Sequence, residues 1–413
     1  MTLVILTGKY PHQGEVFLNY ELPILCKYFK RIELIPITLK KREINMEPIH
    51  MKGLPQNVTY RKDLAKKVSY SVHLSDDLWK STFKELPRSF RPKAFLKLFH
   101  RSFRAWSIYK ILREEYLKHS VKGKIIFYSY WLNYGAIALS LLKKDIKNAL
   151  MISRAHGTDI FHEASPGGYN PFIGFILNGI DFVFSVSEIG RKYLTERYGH
   201  ADKIHVSRLG VPDPGVLNQP SNDGIFRIVS CSSLIPIKRV DLIIKALSLI
   251  GFPVEWVHFG GGPLERKLKN LAHKFLDRKD NIKWVIKGFV PNEIIHDHYR
   301  NKPVDVFITT SRSEGIPVSA MEAVSYGIPI IAFDVGGIRE IVTKDSGILI
   351  PKFGNIDNVV SALEKIREDM IKNYSNHILT RKKVKNFWRH MFNASVNFAL
   401  FAEEILKRSL TYF

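Results

Sequence analysis

Short apolar runs rich in β-branched residues alternate along the whole chain with longer segments in which apolar residues recur three and four positions apart. The first pattern predicts buried strands, and the second predicts amphipathic helices. Regular alternation of the two is typical of layered α/β folds with parallel sheets. In the first half of the chain, the predicted strands are residues 3–7, 32–37, 124–128, 150–153, 181–186 and 203–206.

The second half repeats this scheme more regularly. Its predicted strands are residues 227–231, 254–259, 282–287, 304–309, 329–333 and 347–350. Residues 211–224, between the halves, concentrate Pro, Gly, Asn and Asp as a linker does. We therefore expect two doubly wound, Rossmann-like domains facing a cleft, residues 1–215 and 216–390, with ligands at the carboxyl ends of their strands. Residues 391–413 form an apolar helical tail.

Composition narrows the function only partly. The 413 residues include 62 Lys and Arg against 39 Asp and Glu, a net charge of +23. Such an excess fits nucleic acid, an anionic membrane surface or phosphate-bearing substrates, and equally a merely lysine-rich protein. Two cysteines exclude a disulfide scaffold. With no apolar run of roughly 18 residues and no basic signal-peptide start, a cytoplasmic location is expected.

The segment from Ser311 to Pro329 carries the most chemistry. A predicted strand ends before it, a loop holds Glu314 and Gly315, and Pro317 suits the first turn of a helix. Glu322 then lies one to two turns into that helix, so both carboxylates can face one site and accept hydrogen bonds from sugar or ribose hydroxyls. The backbone N–H groups of the residues that begin the helix form an anion site. These N–H groups belong to Gly315, Ile316 and Val318, and Pro317, which has no N–H, lies between them.

The spacing of Glu314 and Glu322, followed by Gly336-Gly-Ile-Arg-Glu340, resembles the signature of the retaining glycosyltransferases of family 4. The resemblance implies a GT-B fold in which Glu314 contacts the donor sugar and Glu322 binds the nucleotide ribose. It further implies an acceptor-binding first domain, a second domain that binds the nucleotide sugar, and a C-terminal helix that returns to the first domain.

Other segments match that family in the same order. Lys238, in a loop after strand 227–231, resembles the lysine that contacts the donor diphosphate. Gly260 belongs to a glycine-rich strand-to-helix turn, and Phe289 and Val290 to the loop that lines the base pocket. In the first half, Gly14 lies in a loop resembling the family's glycine-bearing loop, and the resemblance implies that Gly14 contacts the donor. His156 precedes Gly157 and Asp159 and resembles the histidine that reaches the donor sugar.

One position departs from the family. Ser233 stands where an arginine is common at the start of the diphosphate loop, so Lys238 is the identifiable diphosphate cation. The resemblance implies metal-free chemistry with no cofactor besides the sugar nucleotide, and the sequence shows no paired Asp-x-Asp that would demand a metal. Front-face attack by the acceptor hydroxyl, with retention of configuration, is the expected reaction.

The segment 46–116 reads as an insertion rich in aromatic and basic residues. From Pro92 onward a helix is predicted, with Lys93, Lys97, Arg101 and Arg104 within an arc of about 80° and aromatic residues opposite. Such a helix suits an anionic membrane surface or, equally, packs on a core with its charges solvated. A lipid-linked saccharide acceptor at the inner face of the cell membrane would fit the first interpretation.

Alternative functions remain open at this stage. A sugar-nucleotide epimerase of similar build is the nearest enzyme, and a nucleic-acid-binding protein belongs to another class. Against the latter stand the dispersed charge and the lack of a basic recognition helix. A dinucleotide oxidoreductase is disfavoured because no G-x-G-x-x-G follows the first strand. We expect a glycosyltransferase of cell-surface polysaccharide or lipopolysaccharide synthesis.

Overall fold

The chain folds into two units, Met1–Leu209 together with Ala394–Phe413, and Gly210–Asn393. We call these unit 1 and unit 2. The boundaries lie within a few residues of those expected from the linker and the tail. The structure, a computed structural model, describes residues 1–12, 15, 17–46, 48, 55–68, 75–89, 91–118, 123–163, 165 and 167–412.

Unit 1 is built on a parallel sheet of seven strands in the order β3-β2-β1-β4-β5-β6-β7. Its strands are β1 Thr2–Thr7, β2 Arg31–Pro36, β3 Val58–Tyr60, β4 Ile125–Ser129, β5 Ala149–Ala155, β6 Phe182–Ser185 and β7 Ile204–Val206. Its helices are α1 Leu18–Tyr28, α2 Lys41–Ile44, α3 Lys62–Lys67, α4 Asp76–Glu85, α5 Pro92–Lys118, α6 Tyr134–Asp145, α7 Gly157–Ile160, α8 Ile173–Gly179, α9 Glu188–Tyr198 and the last helix of the chain, Ala394–Tyr412. Alternate residues of β1 enter two different apolar cores, so both faces of this sheet are covered.

Unit 2 has a parallel sheet of six strands in the order β10-β9-β8-β11-β12-β13. Its strands are β8 Phe226–Cys231, β9 Val254–Phe259, β10 Ile282–Ile286, β11 Val306–Thr309, β12 Ile330–Phe333 and β13 Gly347–Ile350. Its helices are α10 Val240–Leu247, α11 Glu265–Leu276, α12 Asn292–Asn301, α13 Val318–Ser325, α14 Ile356–Lys372 and α15 Tyr374–Met391. The last helix of unit 1 is α16.

The predicted α/β class with parallel sheets is confirmed, and every predicted strand is present. The strand β3 was missed, because three residues at the edge of a sheet are too few to show a period of two. It lies inside the segment 46–116, which was predicted to be an insertion with a helix from Pro92 onward. None of the described helices is long and apolar enough to cross a membrane.

Helix α16 packs against α1 in unit 1, over an apolar core that includes Phe401. Beneath it, the fully buried Arg154 donates to the Glu21 carboxylate at 2.9 Å and to the Tyr128 hydroxyl at 2.7 Å. The Arg154 guanidinium also lies 4.2 Å from the ring centre of Phe401. The tail therefore covers a buried ion pair as well as apolar side chains.

The basic face predicted on α5 does not face solvent, and this part of the prediction is wrong. The Lys97 amine donates to the Asn170 side-chain oxygen at 2.7 Å, and the buried Arg101 donates to the Pro171 carbonyl at 3.2 Å. The Arg104 guanidinium donates to the Ile37 carbonyl at 2.8 Å. Backbone and amide oxygens beneath the helix need donors, and these long side chains supply them. Of the four residues, only Lys93 is exposed.

Candidate functional site

In the sheet of unit 2, β8 and β11 are neighbours. The chain continues from β8 to β9 on one side and from β11 to β12 on the other side, so a crevice opens at the carboxyl ends of β8 and β11. The predicted diphosphate lysine and the first predicted carboxylate meet there: Lys238 Nζ lies 2.5 Å from Glu314 Oε1. The two side chains are 20% and 10% exposed, so the pair is largely shielded from bulk water. The structure thus brings these residues together from loops 76 positions apart.

The loop that carries Lys238 is fixed by the neighbouring strand end. A turn of 3-10 helix spans Pro236–Lys238, and the Thr310 hydroxyl hydrogen-bonds to the carbonyl oxygens of Lys238 and Arg239. Arg239 has a φ of 51°, a left-handed conformation that usually favours glycine. Ser233 is exposed at the start of this loop. The loop is therefore held in place with Ser233 on its surface.

The N-terminus of α13 lies beside the Lys238–Glu314 pair. Pro317 caps the helix in an extended conformation, and the first N–H groups of a helix have no partner within it. A Cβ at Gly336 would lie 1.9 Å from the Glu314 carbonyl oxygen, so only glycine permits this approach. Gly336 and Gly337, after β12, thus fix the backbone at Glu314 and Gly315. The anion-binding N–H groups were predicted to begin at Gly315.

Glu322 lies on α13, 4% exposed. Burial raises its pKa to about 7, and a hydrogen bond from the Asn292 side chain acts in the opposite direction. The Asn292 amide donates to Glu322 Oε1 at 2.9 Å. Glu322 therefore titrates near neutral pH, which is unusual for a carboxylic acid.

The remaining predicted donor-site residues of unit 2 follow β9 and β10. Gly260 has a φ of 128°, and its N–H donates to the Gly288 carbonyl at 2.9 Å, which ties the two strand ends together. A Cβ at Gly260 would lie 2.0 Å from the Ser232 carbonyl oxygen. Phe289 is 88% exposed, and Val290 is half-buried. An exposed ring at this edge is available for stacking on a flat ligand.

His156 lies at the corresponding edge of unit 1, after β5. Its ring is 4.4 Å from the Trp131 ring centre, and Nε2 lies 3.1 Å from the Tyr130 carbonyl oxygen. A carbonyl only accepts, so Nε2 carries a proton. Burial, together with the charge of Arg154, lowers the pKa of His156 to about 3, and the imidazole is neutral at physiological pH.

The Glu15 carboxylate, after β1, contacts the Trp131 side chain that packs on His156. It accepts hydrogen bonds from the backbone N–H groups of Gly8 and Tyr10, at 2.6 and 3.0 Å, and from the Trp131 indole at 2.7 Å. Glu15 thereby joins the ends of β1 and β4. Gly14, predicted to contact the donor, lies outside the described residues.

The structure therefore brings the predicted residues of unit 2 to one edge of one sheet, and it places His156 at an edge of the other sheet. Sequence reasoning missed Asn292 and Trp131. Asn292 begins α12 directly after a proline, and Trp131 follows a buried strand by two residues. Polar or aromatic residues at the carboxyl end of a parallel strand are the signal that could have found them. Among the described residues, no three His, Cys, Asp or Glu side chains form a cluster suited to a metal ion.

Two parallel, doubly wound α/β units define the GT-B fold class, and solved structures confirm the fold. The structure of HepE from Anabaena in complex with UDP matches with a TM-score of 0.66 at 14% identity, and the match covers 98% of this chain and 99% of HepE. Residues 218–383 match the family described as Glycosyl transferases group 1. These residues lie within unit 2, so that unit is similar to the glycosyltransferases of this group.

Curated relatives match part of the chain. The amylovoran biosynthesis glycosyltransferase AmsK of Erwinia amylovora is 28% identical over 240 residues, which cover 55% of this chain and 58% of AmsK. The putative colanic acid biosynthesis glycosyltransferase WcaL of Escherichia coli K12 is 24% identical, with 62% of this chain and 68% of WcaL covered. The chain thus matches little more than half the length of AmsK. Both names point to polysaccharide biosynthesis, and neither supports the epimerase or nucleic-acid alternatives.

Proposed function

We propose that this protein transfers a sugar from a nucleoside-diphosphate sugar to a hydroxyl of a saccharide or lipid-linked saccharide, with retention of configuration and without a metal ion. Polysaccharide synthesis at the cell surface is the proposed role, in line with the names of AmsK and WcaL. The observation that carries the proposal is the Lys238–Glu314 pair beside the N-terminus of α13. A cation and unpaired backbone donors at one point suit a diphosphate.

In the proposed reaction, the bond between the anomeric carbon and the diphosphate oxygen breaks, and negative charge develops on the leaving phosphate. The Lys238 ammonium and the N–H groups of Gly315, Ile316 and Val318 would stabilise this charge. The acceptor oxygen bonds to the anomeric carbon on the same face, and its proton passes to the departing phosphate oxygen. Glu322 would accept hydrogen bonds from the ribose hydroxyls, Phe289 and Val290 would contact the base, and His156 would contact the sugar.

A transfer assay tests this proposal. The purified protein is incubated with UDP-, GDP- and ADP-sugars and a panel of saccharide and lipid-linked acceptors, with a chelator present. We expect one donor to yield a glycosylated acceptor whose anomeric configuration, read by NMR, equals that of the donor. An inverted product contradicts retention, and activity that disappears with the chelator contradicts the metal-free reaction. An epimerised sugar nucleotide formed without acceptor contradicts the transfer itself.

We also propose that the protein works in the cytoplasm, attached to the inner face of the membrane through the outer side of α4 and α5. These helices touch through the Thr82 and Ser102 hydroxyls, 3.0 Å apart. On each helix, aromatic residues stand three positions before and one position after this contact, and we call the surface that they form with their exposed neighbours the α4–α5 surface. These residues are Trp79 and Phe83 on α4, and Phe99 and Phe103 on α5.

The side chains exposed on the α4–α5 surface favour an anionic bilayer as its partner. Phe83, Phe95 and Leu96 are 59%, 45% and 69% exposed. Exposed cations are close to them in the sequence: Lys80, Lys84, Arg88, Arg91 and Lys93. Aromatic rings among basic side chains suit the boundary between lipid headgroups and acyl chains, and each cation near an anionic surface contributes about 1 kcal/mol.

Vesicle sedimentation tests the attachment. We expect the protein to pellet with phosphatidylglycerol-containing vesicles and not with pure phosphatidylcholine, and to be released by high salt. The triple variant Phe83→Ser, Phe95→Ser, Leu96→Ser should stay in the supernatant. The double variant Leu400→Ser, Leu410→Ser, which removes exposed apolar side chains from α16, is the matched control. If both variants pellet like the wild type, the α4–α5 surface does not contact the membrane.

A further inference from the structure

The Glu322 carboxylate is held by a series of hydrogen-bonded side chains that begins on α12. The Asn292 amide nitrogen lies 2.9 Å from Glu322 Oε1 and 3.1 Å from His296 Nε2. His296 Nδ1 lies 3.0 Å from the Tyr326 hydroxyl. Asn292 and His296 stand four positions apart on α12, so one face of this helix presents both side chains to α13. Of the residues in this hydrogen-bonded series, only Glu322 was predicted to belong to the donor site.

The donor and acceptor roles in this series follow from its chemistry. An amide nitrogen only donates, so both Asn292 hydrogens are used, one on Glu322 and one on His296. His296 Nε2 must then accept, which places the imidazole proton on Nδ1, next to Tyr326. Burial lowers the pKa of His296, which favours this neutral form. The amide of Asn292 is thereby oriented from both sides.

The other oxygen of Glu322 has a different environment. Among the described residues, Oε2 has no protein hydrogen-bond partner, whereas Oε1 is engaged by Asn292. A buried carboxylate ordinarily satisfies its oxygens. One oxygen is thus held by the protein, and the other is available to a ligand.

We propose that Asn292 is a positioning residue of the nucleotide site, which keeps Glu322 ionised and presents its second oxygen to the ribose. This inference rests on the proposed function, in which the ribose hydroxyls donate to Glu322. Asparagine suits the role because it donates twice without a charge. Aspartate would place a second carboxylate beside Glu322, and alanine would leave Oε1 without its donor.

Several titratable groups surround Glu322 and bear on the pH dependence of nucleotide binding. The titratable groups that face it are His296 and Tyr299 of α12, Tyr326 at the end of α13, and Cys231 of β8. Helix α15 also packs on α13. Its buried Arg381 donates hydrogen bonds to the carbonyl groups of Asn218 and Val304 rather than to Glu322.

Ribose hydroxyls donate to the ionised carboxylate, so nucleotide affinity should rise as pH increases through about 7 and then level off. Loss of the Asn292 donor raises the pKa of Glu322, so the midpoint of this rise should move to higher pH.

Calorimetric titration of the full-length protein with UDP and with GDP, from pH 5.5 to 9, tests the inference. For Asn292→Ala we expect the midpoint to rise by about one pH unit, which weakens binding about fivefold at pH 7 and leaves it nearly unchanged at pH 9. Asn292→Asp should move the midpoint in the same direction. Asn301→Ala, at the exposed end of the same helix, is the control and should follow the wild type.

The outcomes separate this inference from the proposed function. If Glu322→Ala binds nucleotide as the wild type does, the donor site itself is wrongly placed. If Glu322→Ala weakens binding while Asn292→Ala keeps the wild-type midpoint, Asn292 does not position Glu322. A loss of affinity in Asn292→Ala that is equal at every pH indicates a merely structural role and overturns the inference. With the 2′-deoxy nucleotides, the effect of Asn292→Ala should shrink.

Discussion

At the scale of single residues, Glu322 combines deep burial with one engaged and one available oxygen. We expect Glu322→Ala to weaken nucleotide binding by about 1.5–3 kcal/mol at pH 8, the range for hydrogen bonds to a charged group. Isothermal calorimetry with UDP and GDP measures this change. Glu364→Ala, which removes an exposed carboxylate from α14, should bind normally. Equal affinities for the two variants would contradict the ribose contact.

Lys238 is the cation at the crevice of unit 2 that pairs with a predicted site carboxylate. Lys238→Ala should lower kcat by about a hundredfold or more, the effect of losing one preorganised charge stabiliser. Steady-state kinetics of transfer measures it, with Lys245→Ala on α10 as the control, because Lys245 is more exposed and pairs with Asp241. A kcat within a few-fold of the wild type would show that Lys238 does not act on the leaving diphosphate.

Ser233 offers a gain-of-function test at the same loop. Its side chain is exposed, so an arginine there can extend without displacing buried atoms. Ser233→Arg should therefore tighten binding of the sugar nucleotide through a second cation, and Ser233→Ala should leave it unchanged. Unaltered affinity in the arginine variant would place this position away from the diphosphate.

At the scale of elements, the buried Arg154–Glu21 pair ties β5 to α1 beneath α16. Arg154→Met leaves the Glu21 carboxylate buried without its cation, which should lower the free energy of unfolding by about 3–5 kcal/mol. Urea denaturation followed by circular dichroism measures the loss. Adding Glu21→Gln should recover part of it, because the uncompensated charge disappears. A double variant no more stable than Arg154→Met would show that the charge is not the cause.

At the scale of the whole molecule, the ribose, base and diphosphate contacts are predicted for unit 2, whereas unit 1 is predicted to contact the donor through Gly14 and His156, of which His156 reaches the sugar. His156→Ala should therefore leave the affinity for free UDP or GDP unchanged while kcat for transfer falls at least tenfold, on the order of a lost transition-state contact. His205→Ala, on β7 of the same unit, is the control. A weakened affinity for the free nucleotide would contradict this division.

The pattern of apolar residues was sufficient to predict those strands and helices whose buried positions are evident from their own sequence. The parallel strands are continuous apolar runs, and the helices between them show a period near 3.6, so their order followed directly. The spacing of Glu314 and Glu322 followed too, because both lie within one strand-loop-helix unit. Helix α5 shows what the pattern could not predict. The period of its sequence identified a basic face and an aromatic face, but it did not show which of the two packs against the rest of the unit. Oxygens of Ile37 and Pro171, far away in the chain, decided that Arg104 and Arg101 point inward.

The sequence by itself determined the α/β class, the succession of strands and the residue types at the strand ends, because these depend on local periodicity. Only the tertiary structure decided which strand ends are neighbours, and so that Lys238 meets Glu314 and that Asn292 reaches Glu322. Such pairs depend on the order in which strands assemble into a sheet. That order is set by burial of apolar surface over the whole unit, and no single segment of the chain records it.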